Sequence, residues 1–433
     1  MLAIENPKQS GASNSGRVSW FPYYAGYSPD FVRALLNSAE LSHKSTILDP
    51  WNGAGTTTMA ALELGYESIG FDLNPAMVVA AKARSINPRD CNSLSPLAAD
   101  IIEKAGKEKF DIQFDDPLTT WLYPQGAGIF RRIDIAIQKL LLPIEQHSID
   151  GERGVNCMSD IAAFFYTAMF RVLRDVLKPF IPSNPTWTKR PNLNNRLSIE
   201  EQSVFALYIK QVNEMASVLQ FESWGLTALS AKTTIATGTS EALAVDDSSI
   251  DMVVTSPPYC TRIDYAVATM PELAILGYRP KDSFQDLRRK MIGTSTVPVA
   301  APTIMREWGE ECLTFLERLR LHDSKASSTY YYKSHAQYYA SIYNSLKEIA
   351  RVMKDGGKCV LVVQDSYYKE IHNNLPLITA EMFSSIGLKK ITSLDFPAKA
   401  RMGNKHPSTK KYGLRRATES VICLQKSAYN CPL

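Results

Sequence analysis

Cysteine and histidine are scarce: the 433 residues hold seven cysteines and six histidines. Cys91, Cys157, Cys260, Cys312, Cys359, Cys423 and Cys431 are scattered, odd in number and never spaced as C-x-x-C. A disulfide framework and the common zinc spacings are thereby excluded, and no metal is expected. Neither sign of charge dominates, with 48 Lys and Arg against 44 Asp and Glu for a net charge of +4, so an acidic partner is permitted but not demanded. Apolar runs of membrane length are missing. The nearest, 160–180, carries Arg171, Arg174 and Asp175 and reads as a buried amphipathic helix. The opening "MLAIENPKQSGASNSGRVSW" has no basic start followed by an apolar core, so no secretory signal is expected and a reducing cytoplasm is the expected location. Neither G-x-G-x-x-G nor G-K-[ST] occurs after a strand, which excludes the two common phosphate-binding loops.

What is present is an alternation of short apolar runs and helical patterns. "YSPDFVRALLNSA" (27–39) has a helix-start signature, with Ser28 as cap and Pro29 at the first position. "STILDP" (45–50) reads as a buried strand, "WNGAGTT" as a glycine-rich turn and "TTMAALELG" as a helix. "ESIGFD" (67–72) reads as a second strand, followed by a helix from Pro75. This is a βαβ unit with a parallel sheet. Residues 90–232 then read mostly as helices, and 279–332 as irregular. The sheet pattern resumes with "TTIATG" (233–238) and "SIDMVVTSPPY", and later "KCVLVVQD" follows a Gly356–Gly357 turn. "LKKITSLDF" and "ESVICLQK" read as a closing pair of strands. The expected organisation is an α/β core from 1–89, 233–278 and 333–433, an inserted helical domain at 90–232, and a smaller insertion at 279–332 near the site.

Two stretches carry chemistry. Asp49 ends the first strand and Asp72 the second, where open α/β sheets bind ligands. Gly53 and Gly55 let backbone approach a ligand, and an acid at position 72 can accept ribose hydroxyls. Asp49 would repel a pyrophosphate and suits an amino-bearing or cationic ligand. The second stretch, "DMVVTSPPYC" (251–260), ends an apolar run with two prolines. They fix φ near −65° and remove two donors, which holds nearby polar atoms rigidly.

"DPWNGAGTT" resembles the D-P-F-x-G-x-G-T-T motif of the DNA amino-methyltransferases, and "TSPPY" their catalytic [DNS]-P-P-[YFW] motif. "FPYYAGYSPDFVRALL" (21–36) and "FDLNP" (71–75) resemble the family's cofactor-contacting segments. The resemblance implies a Rossmann-like methyltransferase fold, a mostly parallel sheet with an antiparallel last strand, and S-adenosylmethionine as cofactor. It implies cofactor contacts by Tyr23, Ser28, Asp49, Pro50, Trp51, Gly53, Gly55, Thr56, Thr57, Asp72, Leu73 and Thr239. Trp51 replaces the usual Phe, and "TIATGTSEAL" lacks the acid often found before the catalytic motif. Ser256, Pro257, Pro258 and Tyr259 would be catalytic: the Ser256 oxygen and the Pro257 carbonyl accept from the target amine, and Tyr259 stacks on a flipped base. No Pro-Cys dipeptide of the C5-cytosine enzymes occurs, and Cys260 reads as packing.

Double-stranded DNA is the expected partner, with a restriction or defence protein as a possible companion and no membrane. "KARMGNKHPSTKKYGLRR" (399–416) has no acid, so Lys405, Lys410, Lys411, Arg415 and Arg416 are candidate phosphate contacts, with Arg262 near the base pocket. "NPTWTKRPNLNNR" (184–196) could read bases or link helices. Ser at the first motif position is commoner in cytosine enzymes, so cytosine N4 is the expected target and adenine N6 the alternative. An RNA amine methyltransferase and a non-catalytic nucleic-acid-binding subunit are further alternatives.

Overall fold

A computed structural model of the chain describes residues 2–8, 16–22, 26–113, 115–143, 152–182, 187–222, 224–260, 264–294, 296–297, 300–398 and 417–427. The chain begins with α1 (Pro29–Ser38), β1 (Thr46–Asp49), α2 (Thr56–Glu63), β2 (Glu67–Asp72) and α3 (Pro75–Arg84). Six helices follow: α4 (Cys91–Lys107), α5 (Pro124–Leu141), α6 (Glu152–Cys157), α7 (Asp160–Val176), α8 (Glu201–Leu219) and α9 (Leu226–Ser230). Next come β3 (Thr233–Thr237), β4 (Ile250–Thr255), α10 (Tyr265–Ala268), α11 (Met270–Ile275), α12 (Ser283–Lys290), α13 (Glu310–Leu321) and α14 (Tyr332–Val352). The last elements are β5 (Met353–Gln364), β6 (Ser366–Tyr368), β7 (Ile371–Asn373), α15 (Leu375–Ser385), β8 (Leu388–Pro397) and β9 (Thr418–Lys426).

The main sheet has the order β3-β2-β1-β4-β5-β9-β8. Its first five strands are parallel and β9 is antiparallel to both neighbours. This is the α/β, Rossmann-like arrangement expected from the sequence. The chain leaves β1 toward β2 on one side, and β4 lies on the other. The strand order therefore reverses between β1 and β4, which places a ligand crevice at their carboxyl ends. Register lines that edge up: Asp49 pairs with Gly70, and Asp72 with Thr237.

Alternation along the strands feeds two cores. Ile47, Met252 and Val254 pack with α1 and α2, while Leu48 and Val253 face α13, α14 and α15. Both faces are thus covered, as a parallel sheet requires. A third apolar cluster joins α4, α5, α7 and α8 to α3 and α11. The alanine-rich α3 lets α7 approach closely. Local caps start the helices that border the crevice: Ser28 Oγ accepts from Phe31 N, and Asn74 Oδ1 from Ala76 N.

Two readings are corrected. Residues 279–332 contain helices α12 and α13 rather than irregular chain. In α13, Cys312, Phe315, Leu316 and Leu319 fall on one helical face and are buried. Gly356 and Gly357 lie inside β5 instead of ahead of it, in a bulge where pairing jumps from Ile250–Met353 to Met252–Lys358. Gly356 has φ +76°, and a Cβ on Gly357 would meet Lys354 O at 2.8 Å.

Candidate active site

The carboxyl ends of β1, β2 and β4 open on one cavity of about 460 Å³. Its floor is the turn from Asp49 to Ala54. Asp72 and Leu73 form one side, and Ser256, Pro257, Pro258 and Tyr259 the other. Gly238 and Ser240 reach it from the end of β3.

Asp49 is 2% exposed and ringed by donors. Its Oδ1 accepts from Thr255 Oγ1 at 2.5 Å and from Trp51 N at 3.1 Å, and its Oδ2 accepts from Tyr27 OH at 3.1 Å. Burial raises its pKa, and the donors oppose that shift. Asp72 accepts one backbone N–H on each oxygen, from Gly53 at 2.9 Å and Asn74 at 2.8 Å. Each oxygen keeps a lone pair for a hydroxyl donor. Burial, with a smaller contribution from the Asp49 charge, lifts the Asp72 carboxyl to about 6. The turn between the two acids needs its glycines: Gly55 has φ +81°, and a Cβ there would meet Ala81 Cβ at 2.8 Å.

The turn after β4 is braced from behind. Tyr338 OH of α14 donates to Pro258 O at 2.9 Å. Tyr259 is buried, and its hydroxyl donates to Glu419 Oε1 at 3.0 Å. Lys8 Nζ lies 2.6 Å from the same oxygen and 5.8 Å from the centre of the Tyr259 ring. Cys260 packs against the cluster of α13 and α14, and burial pushes its thiol up to about 12, so it is no nucleophile.

Of the residues singled out from the sequence, Asp49, Pro50, Trp51, Gly53, Thr56, Asp72, Leu73 and Ser256 through Tyr259 line the cavity. Ser28, Gly55, Thr57 and Thr239 do not. Ser28 caps α1, and Gly55 packs on α3. Thr57 is fully buried, 2.5 Å from Tyr27 OH and donating to Val254 O at 3.1 Å. Thr239 Oγ1 accepts from Glu241 N, and its neighbour Ser240 faces the cavity instead. Tyr23, Arg262, Lys405, Lys410, Lys411, Arg415 and Arg416 lie outside the described residues.

Helices α7 and α8 supply a wall that the sequence reading missed: Phe170, Arg174, Asp175 and Gln211. Arg174 grips the fully buried Glu272 of α11 through Nε at 2.5 Å and Nη2 at 2.7 Å. The available signal was the run of Arg171, Arg174 and Asp175 on one turn of an otherwise apolar helix.

The acids suit an amino-bearing tail and a ribose, and Trp51, Leu73, Met77 and Phe170 are apolar surface for a ring. These residues fit S-adenosylmethionine. Fold and site together define a Rossmann-like, S-adenosylmethionine-dependent methyltransferase. The chain belongs to the DNA methylase family N6_N4_Mtase, which matches residues 8–83 and 250–431, more than half of its length. It is accordingly a DNA amino-methyltransferase. Full-length similarity extends to the type II methyltransferase M.BsoBI of Geobacillus stearothermophilus, 24% identical and covering 95% of this chain and 86% of that protein. The type II methyltransferase M.AvaI of Nostoc sp. is 22% identical, covering 94% and 86%, and M.MvaI of Kocuria varians 25%, covering 89% and 85%. Among the described residues no helix is long and apolar enough to cross a membrane, and no group of His, Cys, Asp and Glu could hold a metal.

Proposed function

We propose that the protein methylates cytosine N4 in double-stranded DNA, acting on a base turned out of the helix. The observation that carries this reading is one cavity lined by both Asp72 and the Ser256–Tyr259 turn. An aromatic amine is a weak nucleophile because its lone pair is delocalised into the ring. Acceptors fixed around the NH₂ group favour its pyramidal form and stabilise developing positive charge. Ser256 and the Pro257 carbonyl take that role, and Pro257 and Pro258 hold them in place. Tyr259 offers an aromatic surface for the flipped base. Asp72 and Asp49 hold the ribose and the amino-acid end of S-adenosylmethionine, with Trp51 and Leu73 against its ring. That cofactor, when bound, supplies the methyl group. Ser256 as a neutral first residue of the motif favours cytosine over adenine.

The test is transfer of labelled methyl to duplex DNA, followed by digestion to nucleosides and mass spectrometry. N4-methylcytosine is expected. N6-methyladenine would move the target to adenine, and label in RNA alone would overturn the DNA reading.

A further inference from the structure

The stretch "WTKR" (187–190) is tied by its backbone to Phe180 and Trp121, close to the cavity. Lys189 N donates to Phe180 O at 2.9 Å, and Trp121 Nε1 donates to Lys189 O at 3.0 Å. Thr188 is buried between them. Trp187, Lys189 and Arg190 are exposed around it, with Trp187 left 54% exposed. Phe180 precedes Ile181, a lining residue of the cavity. Arg190 reaches back to the segment after the catalytic turn, with Nη2 2.9 Å from Met270 Sδ.

A second basic element converges on that segment. α12 ends in Arg288, Arg289 and Lys290 and leads directly into Met291 and Ile292, which line the cavity. Arg288 pairs with Asp264, the cap of α10, and so anchors α12. Arg289 pairs at the surface with Asp286 at 3.1 Å, an interaction that a phosphate can displace. Burial and the neighbouring Arg288 both lower the pKa of Arg190, so the two basic elements feel each other. Two like-charged elements about a hundred residues apart in sequence, each adjoining residues that line the cavity, suit a polyanion.

We propose that Lys189, Arg190, Arg289 and Lys290 form a rim that grips the DNA phosphates flanking the flipped base, with Trp187 stacking on a neighbouring base. This rests on the DNA reading above. Phosphate contacts orient a duplex, and exposed aromatic rings accept unstacked bases of any identity.

The experiment measures binding of a fluorescent 30-base-pair duplex that the unsubstituted protein methylates, across a salt series. K189A/R190A and R289A/K290A should each weaken binding by roughly 10-fold, and each should flatten the slope of log K against log salt by about 2. W187A should weaken binding with the slope unchanged. Cofactor affinity should stay near the unsubstituted value, since none of the five side chains lines the cavity, and a drop in thermal midpoint is expected only in K189A/R190A, which loses the Arg190–Met270 contact. Unchanged affinity and slope in both double variants, on a duplex that the unsubstituted protein methylates, would overturn the rim while leaving the function intact. Failure of the unsubstituted protein to bind or methylate any duplex would sink both.

Discussion

Tyr259 and Glu419 are 160 residues apart and joined by a hydrogen bond of 3.0 Å between the phenol and Oε1. Glu419 is 1% exposed, on β9 directly opposite Gln364 of β5. Burial, then the Glu419 charge, raises the pKa of Tyr259, so the phenol stays a donor at neutral pH. Lys8 balances the carboxylate from the amino-terminal segment. The aromatic side chain of the turn after β4 is therefore positioned by β9.

Glu419→Gln keeps the shape and removes the charge that holds the phenol. Hydrogen bonds to charged groups contribute about 1.5–3 kcal/mol. The methylation rate should fall by roughly 10-fold with cofactor affinity within about two-fold. Single-turnover methylation and cofactor titration separate the two. Equal losses in both would show that Glu419 does not act through Tyr259.

Asp72 has a folded-state pKa of about 6 against an ordinary 3.8. Its raised value means that the folded state holds the proton more tightly than the unfolded one. The associated stability is complete below about pH 4 and is lost as pH rises through about 6, by up to about 3 kcal/mol. Cofactor binding should run the other way, strengthening over the same range as the carboxylate forms. Asp72→Asn should remove that part of both pH dependences and weaken cofactor binding at pH 8. Denaturation and binding series between pH 4 and 8 check this.

Thr57→Val is expected to act on stability rather than on the ligand. The hydroxyl lies between Tyr27 and the Val254 carbonyl and faces away from the cavity. Losing a buried hydrogen bond costs about 1–3 kcal/mol. Urea unfolding should register that loss, with cofactor affinity within about two-fold. A 10-fold loss of affinity without loss of stability would place Thr57 at the cofactor instead.

Arg174→Ala leaves the fully buried Glu272 without its partner. Breaking a buried pair from one side costs about 3–5 kcal/mol. Arg174→Ala with Glu272→Gln should recover part of that loss, which a double-mutant cycle measures.

Tyr338→Phe removes the donor to the Pro258 carbonyl. A net loss near 1 kcal/mol predicts a rate about five-fold lower, with cofactor affinity unchanged. An unchanged rate would mean that the two prolines alone keep the turn rigid.

The sequence by itself determined what neighbouring residues decide. The cap at Ser28, the helix start at Pro75, the glycine turn after Asp49, the alternation of β1 and β4 and the proline turn at Ser256 are local patterns, readable as period, cap and turn chemistry. α13 was equally local, and its face of Cys312, Phe315, Leu316 and Leu319 was legible but masked by the charges between them. Only the tertiary structure decided which polar groups of these motifs face the cavity. Thr56 and Thr57 are adjacent, yet one lines it and the other is buried behind it, because successive helical residues point about 100° apart. It also decided the partners at long range: Arg174 with Glu272, Tyr338 with Pro258, Glu419 with Tyr259. Each of those contacts depends on where two distant segments come to rest in the packed sheet and its helices, and that placement leaves no mark on the residues beside either partner.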